Sequence, residues 1–295
     1  MLRHGATSAS ALACGAVSAA TDRRRRTSFD GVAELYDAAR PDYPDELVAA
    51  LIELAGLREG KHVLEIGPGA GQLSVALARS GVVLTAVELG PSLAAIARRR
   101  LAGFPHAQVV VADFDHWPVP AGAFDLVVAA TAFHWLDPAT RVRRCTSALR
   151  PGGALAVVET HWGVGAADDA FFVASQSCYA QWDPAHDSAF EPRSASAPSD
   201  AHDELVATGL FAELRARRTL VDRAYDAKQY SDLLGTFSNV LGLDERHRDR
   251  LLACLSHLID TQFAGSITRR DLYNLTIGYT GEQPAVAADG ATRRR

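Results

Sequence analysis

Three glycines at alternate positions follow a short apolar segment that carries one acid. Residues 63–71 read Val-Leu-Glu-Ile-Gly-Pro-Gly-Ala-Gly, with Glu65 inside the apolar run and Gly67, Gly69 and Gly71 after it. Glycine adopts backbone conformations closed to other residues and lets a ligand approach without a Cβ in the way. Apolar residues recur at helical spacing after Gly71, so the segment predicts a strand, a glycine turn and a helix. Free N–H groups and the positive helix end would favour a nucleotide-type cofactor over the strand tip.

The spacing of these glycines differs from that of two phosphate-binding motifs. The dinucleotide fingerprint is G-x-G-x-x-G, and Gln72 stands where its third glycine would be. The phosphate loop requires Lys-Ser or Lys-Thr after its last glycine, and the chain has neither there. Neither motif fits.

More residues with chemical potential follow the next predicted strands. Glu88 ends the second strand, and an acid there can accept hydrogen bonds from both hydroxyls of a ribose. Asp113 and Phe114 end the third, offering a carboxylate for an exocyclic amine and an aromatic face for a purine. The fourth ends in Thr-Ala-Phe-His-Trp at 131–135, which would face the reactive end of the ligand. Any one of them could be a solvated cap or a core residue, but their ordered occurrence indicates a site.

Alternating strands and helices must position these residues. The predicted strands cover 62–66, 82–88, 107–112, 124–129, 154–159, 211–221 and 267–278. The predicted helices cover the region around 29–36, then 44–57, 72–80, 91–102, 138–149, 227–237 and 244–263. Strands separated by helices predict a doubly wound α/β fold with a parallel sheet. Ligands bind such sheets beyond the carboxyl ends of the strands, where the strand order reverses.

Composition limits the class of protein. The chain has 295 residues, 48% hydrophobic content and a formal net charge of −5, which disfavours a general nucleic-acid binder. No apolar run approaches the ~20 residues that cross a bilayer, so no membrane association is expected. Cys14, Cys145, Cys178 and Cys254 form no C-x-x-C pair. We therefore expect neither a disulfide framework nor a zinc site, and a reducing, cytoplasmic location.

The chain divides into one domain and two tails. Residues 1–27 and 281–295 are expected to be disordered, and the first of these contains the run Arg23–Arg26. The domain at 28–280 is expected to comprise a cofactor-binding core at 28–160 and a cap at 161–265 that holds the substrate. A monomer or homodimer is expected.

The core resembles class I S-adenosylmethionine-dependent methyltransferases over residues 28–160. Glu65 to Gly71 resembles their first motif, an acid followed by G-x-G-x-G. The segments Tyr36-Asp37, Arg40 to Pro44 and Phe133 to Asp137 are similar to the small-molecule branch that includes methyltransferase type 11 and trans-aconitate methyltransferases. The resemblance implies a Rossmann-like seven-stranded sheet, mostly parallel with an antiparallel last strand.

The resemblance also implies the cofactor and its contacts. S-adenosyl-L-methionine is the expected cofactor, with no metal. The residues expected to bind it are Tyr36, Arg40, Glu65, Gly67, Gly69, Gly71, Glu88, Leu89, Asp113, Phe114 and Thr131.

The expected reaction is transfer of a methyl group to a carboxylate or hydroxyl of a small molecule. A carboxylate acceptor needs no general base; for other acceptors His134 is the first candidate base and His161 the second. The expected substrate contacts are Phe133, Trp135, Trp162 and Tyr179. The aromatic residues of 161–190 suit contact with an apolar or aromatic substrate, and they suit the cap's own core equally well.

Three alternatives remain open at this level. One is an aminopropyl transferase and another a nicotinamide oxidoreductase, although Gln72 argues against the latter. The third is a protein that binds the cofactor without turnover. No [DNS]-P-P-[YF] segment follows the fourth strand, so methylation of DNA-base amines is not expected.

Overall fold

The centre of the computed structural model, which describes residues 26–165 and 169–281, is a seven-stranded sheet. Its strands are β1 (His62–Ile66), β2 (Val83–Glu88), β3 (Ala107–Val111), β4 (Phe124–Ala130), β5 (Leu149–His161), β6 (Glu213–Asp226) and β7 (Ser266–Tyr279). They lie in the order β3-β2-β1-β4-β5-β7-β6. Strand β7 is antiparallel to β5 and to β6, and the other neighbouring pairs are parallel. This arrangement confirms the predicted fold class.

Helices cover both faces of the sheet. They are α1 (Ala33–Ala39), α2 (Asp45–Leu54), α3 (Gln72–Arg79), α4 (Pro91–Leu101), α5 (Arg141–Ala148), α6 (Ala170–Trp182), α7 (Asp200–Thr208), α8 (Ala227–Leu234), α9 (Ser238–Leu241) and α10 (Glu245–Gln262). Apolar residues of α2 and α3 pack on one face of the sheet, and those of α5 and α7 pack on the other. Within the two described ranges, no helix is both long and apolar enough to cross a bilayer.

The sequence of the inner strands explains why they form the centre. Every residue of β4 except Asp125 is buried, and Val63 and Leu64 of β1 are fully buried. Such continuous apolar runs suit a strand covered on both faces. The strand order reverses between β1 and β4, which places a crevice beyond their carboxyl ends.

Beyond residue 160 the structure contains three helices that were not predicted: α6, α7 and the short α9. Helix α6 was missed because its apolar and small residues, such as Phe171, Val173 and Cys178, occur all around it and give no helical period. Helix α7 begins after Ser199, whose side chain accepts a hydrogen bond from the His202 N–H, a capping signal that the sequence did contain. Strand β6 lies inside the segment expected to be the cap, but belongs to the central sheet.

Residues 26 and 27, which fall in the predicted N-terminal tail, belong to the described part of the chain. Arg26 forms ion pairs with Asp113 and Asp115. The remainder of that tail (1–25), and nearly all of the C-terminal one (282–295), lie outside the described residues.

The expectation that the chain has no disulfide is wrong. Cys178 of α6 and Cys254 of α10 are joined by a disulfide bond, and Cys145 is a buried free thiol. The two bonded residues are 76 positions apart and neither belongs to a C-x-x-C pair, so the local spacing gave no signal. The bond lies in an apolar cluster formed by α6, α8 and α10.

Peptide mapping without reduction should find Cys178 and Cys254 in one cross-linked species and Cys145 alkylated. Reduction should lower the free energy of unfolding by up to about 4 kcal/mol, because a long loop is no longer closed in the unfolded chain. A Cys178→Ser/Cys254→Ser variant is the control, since its stability should not respond to reductant. Full alkylation of Cys178 and Cys254 in unreduced protein would contradict the pairing.

Candidate cofactor and active site

The glycine turn after β1 fits closely against the segment after β4. Gly67 and Gly69 have φ angles of 65° and 59°, in the left-handed region that favours glycine. A Cβ on Gly67 would lie 2.7 Å from the Cβ of Ala132, and one on Gly69 would lie 3.2 Å from the Tyr36 ring. The turn therefore has no room for side chains at these two positions.

Glu88 at the end of β2 holds this turn in place. One carboxylate oxygen accepts the Gly69 N–H at 3.0 Å and the other accepts the Gly90 N–H at 2.9 Å. Burial raises the pKa of Glu88, while the N–H groups of Gly90 and Gly69 oppose the shift. A carboxylate has about four lone-pair sites, so Glu88 keeps acceptor capacity for a ligand.

A first cavity of about 620 Å³, open to solvent, lies above the carboxyl ends of β1, β2 and β4. Glu88 and Leu89 line one part, and Phe114 and Trp135 supply aromatic surface. This combination of an acid and aromatic rings suits a ribose and a purine.

A second cavity of about 430 Å³ adjoins the first and is lined by polar and aromatic side chains. Arg40 lines it, with its guanidinium 4.4 Å from the centre of the Phe237 ring and bonded to Thr236 through Nε at 2.7 Å. Gln72 also lines it, and its buried amide nitrogen has no hydrogen-bond partner among the described residues. A buried cation and an unpaired donor suit the carboxylate of an amino acid.

Thr131 lies where the two cavities meet. It lines both cavities, as do Tyr36 and Gly67. Its φ angle is 55°, which is strained for a β-branched residue. Hydrogen bonds between its hydroxyl and the hydroxyls of Tyr43 (3.0 Å) and Thr160 (2.7 Å) hold Thr131 in this conformation.

Glu65 is a fully buried acid at the wall of the second cavity. Its carboxylate accepts a hydrogen bond from the Ser74 hydroxyl at 2.6 Å. Burial raises the pKa of Glu65 to about 7; the Ser74 bond opposes the shift and the nearby charge of Glu88 adds to it. The acid thus titrates near neutral pH.

Most of the residues predicted to bind the cofactor line these cavities. They are Tyr36, Arg40, Glu65, Gly67, Gly69, Glu88, Leu89, Phe114 and Thr131. Gly71 instead lies against the backbone of Ala97, where a Cβ would be 3.4 Å from the Ala97 Cα. Its contact is between helices α3 and α4.

Asp113 is not among the residues that line the first cavity, and its carboxylate is engaged by protein groups. Oδ1 accepts Arg26 Nη2 at 2.9 Å and the Asp115 N–H at 3.2 Å. Burial alone would raise the pKa of Asp113, but the Arg26 charge and these hydrogen bonds hold it below its usual value. The carboxylate therefore stays ionised.

The two candidate bases lie outside the groups that line the cavities. His134 is exposed and its ring lies 4.8 Å from that of Trp135. His161 follows Thr160 on β5, so its side chain points to the opposite face of the sheet. Burial, reinforced by the charge of Arg193, lowers the pKa of His161 to about 4.

The predicted substrate contacts separate into two groups. Trp135 lines the first cavity and Trp162 the second. Phe133 is buried beneath the guanidinium of Arg141, 4.6 Å from the centre of its ring. Tyr179 packs in the apolar cluster of the cap.

Several residues that line the cavities were not predicted. Those with an aromatic or polar side chain are Arg26, Phe29, Tyr43, Gln72 and Tyr273. Tyr43 belongs to the Arg-Pro-Asp-Tyr-Pro segment, so its proximity to Arg40 was a usable signal. Tyr273 is on β7 and reaches the site through its pairing opposite Thr160, which no local pattern reveals.

Comparison with known proteins identifies the class. Residues 64–157 match the model of a methyltransferase domain family. An uncharacterized methyltransferase of Mycobacterium tuberculosis is 32% identical over 131 residues, covering 44% of this chain and 51% of that protein. A ubiquinone biosynthesis O-methyltransferase of Xanthomonas axonopodis is 38% identical over 113 residues, covering 37% and 46%. The matches thus span about half the length of these curated relatives.

The fold also matches solved structures. A phosphoethanolamine N-methyltransferase of Haemonchus contortus, in complex with S-adenosyl-L-methionine, has a TM-score of 0.53 at 15% identity, covering 90% of this chain and 61% of that one. Residues 64–157 are thus similar to a methyltransferase domain, and the fold is shared with a methyltransferase of known structure. That structure holds S-adenosyl-L-methionine, and the residues of the present site fit this group because Gly67 leaves no space for a Cβ and Gln72 offers an unpaired donor.

Gly67→Ala should weaken binding of S-adenosylhomocysteine at least tenfold, because the added Cβ meets Ala132. Gly56→Ala is the matched control: its φ of 58° imposes the same strain, about 1–2 kcal/mol, with nothing within 4 Å of the new Cβ. Isothermal titration calorimetry measures both affinities. Equal affinities for the two variants would contradict the close fit.

Glu65→Gln should stabilise the protein at pH 8.5 and change it little at pH 4.5. Because folding raises the pKa of Glu65, this group stabilises the folded protein fully at pH values below its unfolded pKa. That contribution is lost as the pH rises through about 7. Glutamine has no proton to lose. Thermal unfolding of both proteins across this range, with the exposed Glu53→Gln as control, tests the difference. A pH-independent difference would show that Glu65 does not titrate there.

Proposed function

We propose that this protein transfers the methyl group of S-adenosylmethionine to an oxygen of a small molecule, without a metal ion. The observation that carries the proposal is the meeting of two chemically different cavities at Tyr36, Gly67 and Thr131. One cavity suits an adenosine and the other an amino-acid group. A ligand that contains both, joined by sulfur, matches this pair.

The chain's residues would bind and orient this ligand. Glu88 would accept the ribose hydroxyls, and Phe114 would pack on the adenine. Arg40 would bind the carboxylate, with Tyr36 beside the sulfur. S-adenosylmethionine supplies a methyl group that its sulfonium already activates. The protein's main contribution is then to orient the acceptor and exclude water, and orientation alone can be worth roughly 7–11 kcal/mol.

The lining of the two cavities favours a carboxylate acceptor over a hydroxyl, because it includes no histidine that could act as a base. Trp162 and Tyr273 provide aromatic walls next to Thr131 and Tyr43. Neither His134 nor His161 is among the residues that line the two cavities. A carboxylate is already deprotonated, so its methylation needs no base. The similarity to an O-methyltransferase of Xanthomonas also supports an oxygen acceptor.

The test is formation of S-adenosylhomocysteine from S-adenosylmethionine in the presence of a panel of small carboxylic acids and phenols. We expect turnover with a carboxylic acid, the same rate in the presence of EDTA, and a methyl ester detected by mass spectrometry. Binding of the cofactor without turnover on any acceptor would favour the alternative, a cofactor-binding protein without catalysis. A rate that falls with EDTA would contradict metal independence.

His134→Ala should leave the rate with a carboxylate acceptor within about threefold of the original. The exposed ring contacts Trp135. Methylation of a carboxylate requires no general base, so loss of the imidazole should matter little. Tyr43→Phe is the comparison, since loss of its bond to Thr131 should lower kcat about tenfold and also weaken cofactor binding. A loss of a hundredfold or more in His134→Ala would establish it as the base.

A further inference from the structure

The N-terminal segment lies across the first cavity, the one that suits an adenosine. Its first described residue, Arg26, lines that cavity together with Phe29 and Tyr36. The Phe29 ring meets those of Tyr36 and Trp135 edge-on at 6.0 and 5.8 Å. The segment thus contributes a wall of the site from outside the sheet.

Arg26 fastens this segment to the end of β3. Its Nη2 bonds Asp113 at 2.9 Å and its Nη1 bonds Asp115 at 3.0 Å. The three side chains are only 11–18% exposed, so solvent screens these ion pairs less than it does surface ones. A guanidinium presents its donors in a rigid fork, which suits the bridging of two carboxylates.

The same contact extends to the segment after β4. Asp115 accepts the N–H of Asp137 through its second oxygen, at 3.3 Å. Arg26 therefore links three parts of the chain that surround the adenine end of the cavity: the N-terminal segment, the end of β3 and the segment 133–137.

The other end of the N-terminal segment is fixed to α4. Asp30 accepts the N–H groups of Ser92 at 2.7 Å and Leu93 at 3.0 Å, in the first turn of that helix. A Cβ on Gly90 would lie 2.5 Å from an Asp30 oxygen, so the two residues are in close contact. The segment is thus held at Asp30 and, through its ion pairs, at Arg26.

We propose that Arg26 is a positioning residue for the adenine. It orients the Asp113 carboxylate to accept the exocyclic amine of the base, and it closes the cavity over the bound nucleoside. Asp113 Oδ1 is occupied by Arg26 and by Asp115, while Oδ2 has one partner among the described residues, the exposed His116 at 3.2 Å. Oδ2 is therefore the oxygen with capacity for the amine. This inference rests on the cofactor and does not require methyl transfer.

The orientation of Asp113 makes the proposal specific to adenine. A hypoxanthine base carries a carbonyl in place of the amine, and a carboxylate repels that oxygen. Wild-type protein should therefore bind S-adenosylhomocysteine more tightly than S-inosylhomocysteine, by tenfold or more. Without Arg26, Asp113 loses its fixed orientation and the preference should shrink.

The experiment uses the full chain and measures affinity for both compounds by calorimetry, and the dissociation rate of S-adenosylhomocysteine by stopped flow. Arg26→Ala should weaken adenosyl binding about tenfold, speed its dissociation, and reduce the adenine preference at least threefold. Arg26→Lys should be intermediate, because an ammonium is a point charge that lacks the bridging fork. Asp115→Asn weakens the second ion pair of Arg26, so it should also speed the dissociation of S-adenosylhomocysteine.

Arg99→Ala is the matched control. Arg99 pairs with Glu34 of the same N-terminal region, but this pair is exposed and lines neither cavity. The variant removes the same charge and should behave like wild type. The proposal is overturned if Arg26→Ala keeps the wild-type dissociation rate or the wild-type adenine preference. It is also overturned if Arg26→Ala binds more tightly, because Arg26 would then compete with the base for Asp113.

Discussion

The site depends on one close approach, between the glycine turn after β1 and the backbone after β4. Gly67 and Ala132 touch so closely that no Cβ fits on the glycine. Thr131 makes the approach feasible by turning the chain in the left-handed region, at a cost of order 1–3 kcal/mol. The hydroxyls of Tyr43 and Thr160 fix the strained residue. Because Tyr43 precedes α2 and Thr160 is on β5, the strain is supported by distant parts of the fold.

Sequence patterns predicted the strands that carry the site but not all of the side chains around it. Strands β1 to β4 were predicted to within one residue at each end, because each is a short, mainly apolar segment between predicted helices or loops. Because the ends of these strands were predicted, the acid at the end of β2 and the aromatic residue after β3 were predicted as site residues too. Helix α6 gave no period, since its apolar residues surround the helix.

Long-range contacts account for the remaining differences. Arg26 belongs to a run of four arginines, a pattern typical of a solvated tail, and its partners are 87 and 89 residues away. The bond between Cys178 and Cys254 likewise connects residues that nothing local relates. Asp113 was predicted to contact adenine, but no sequence pattern indicated its bond to Arg26. Local spacing predicts which residues lie at the end of a strand, but not which distant residues contact them.

The disulfide has a mechanical consequence for the cap. Residues of α6, α8 and α10 share one apolar cluster, in which the Phe171 ring meets that of Tyr230 edge-on at 5.2 Å. Because Cys178 and Cys254 are covalently joined, α6 cannot peel away while α10 remains in place. Any movement of α6 away from the rest of the cluster must therefore carry the bonded part of α10 with it.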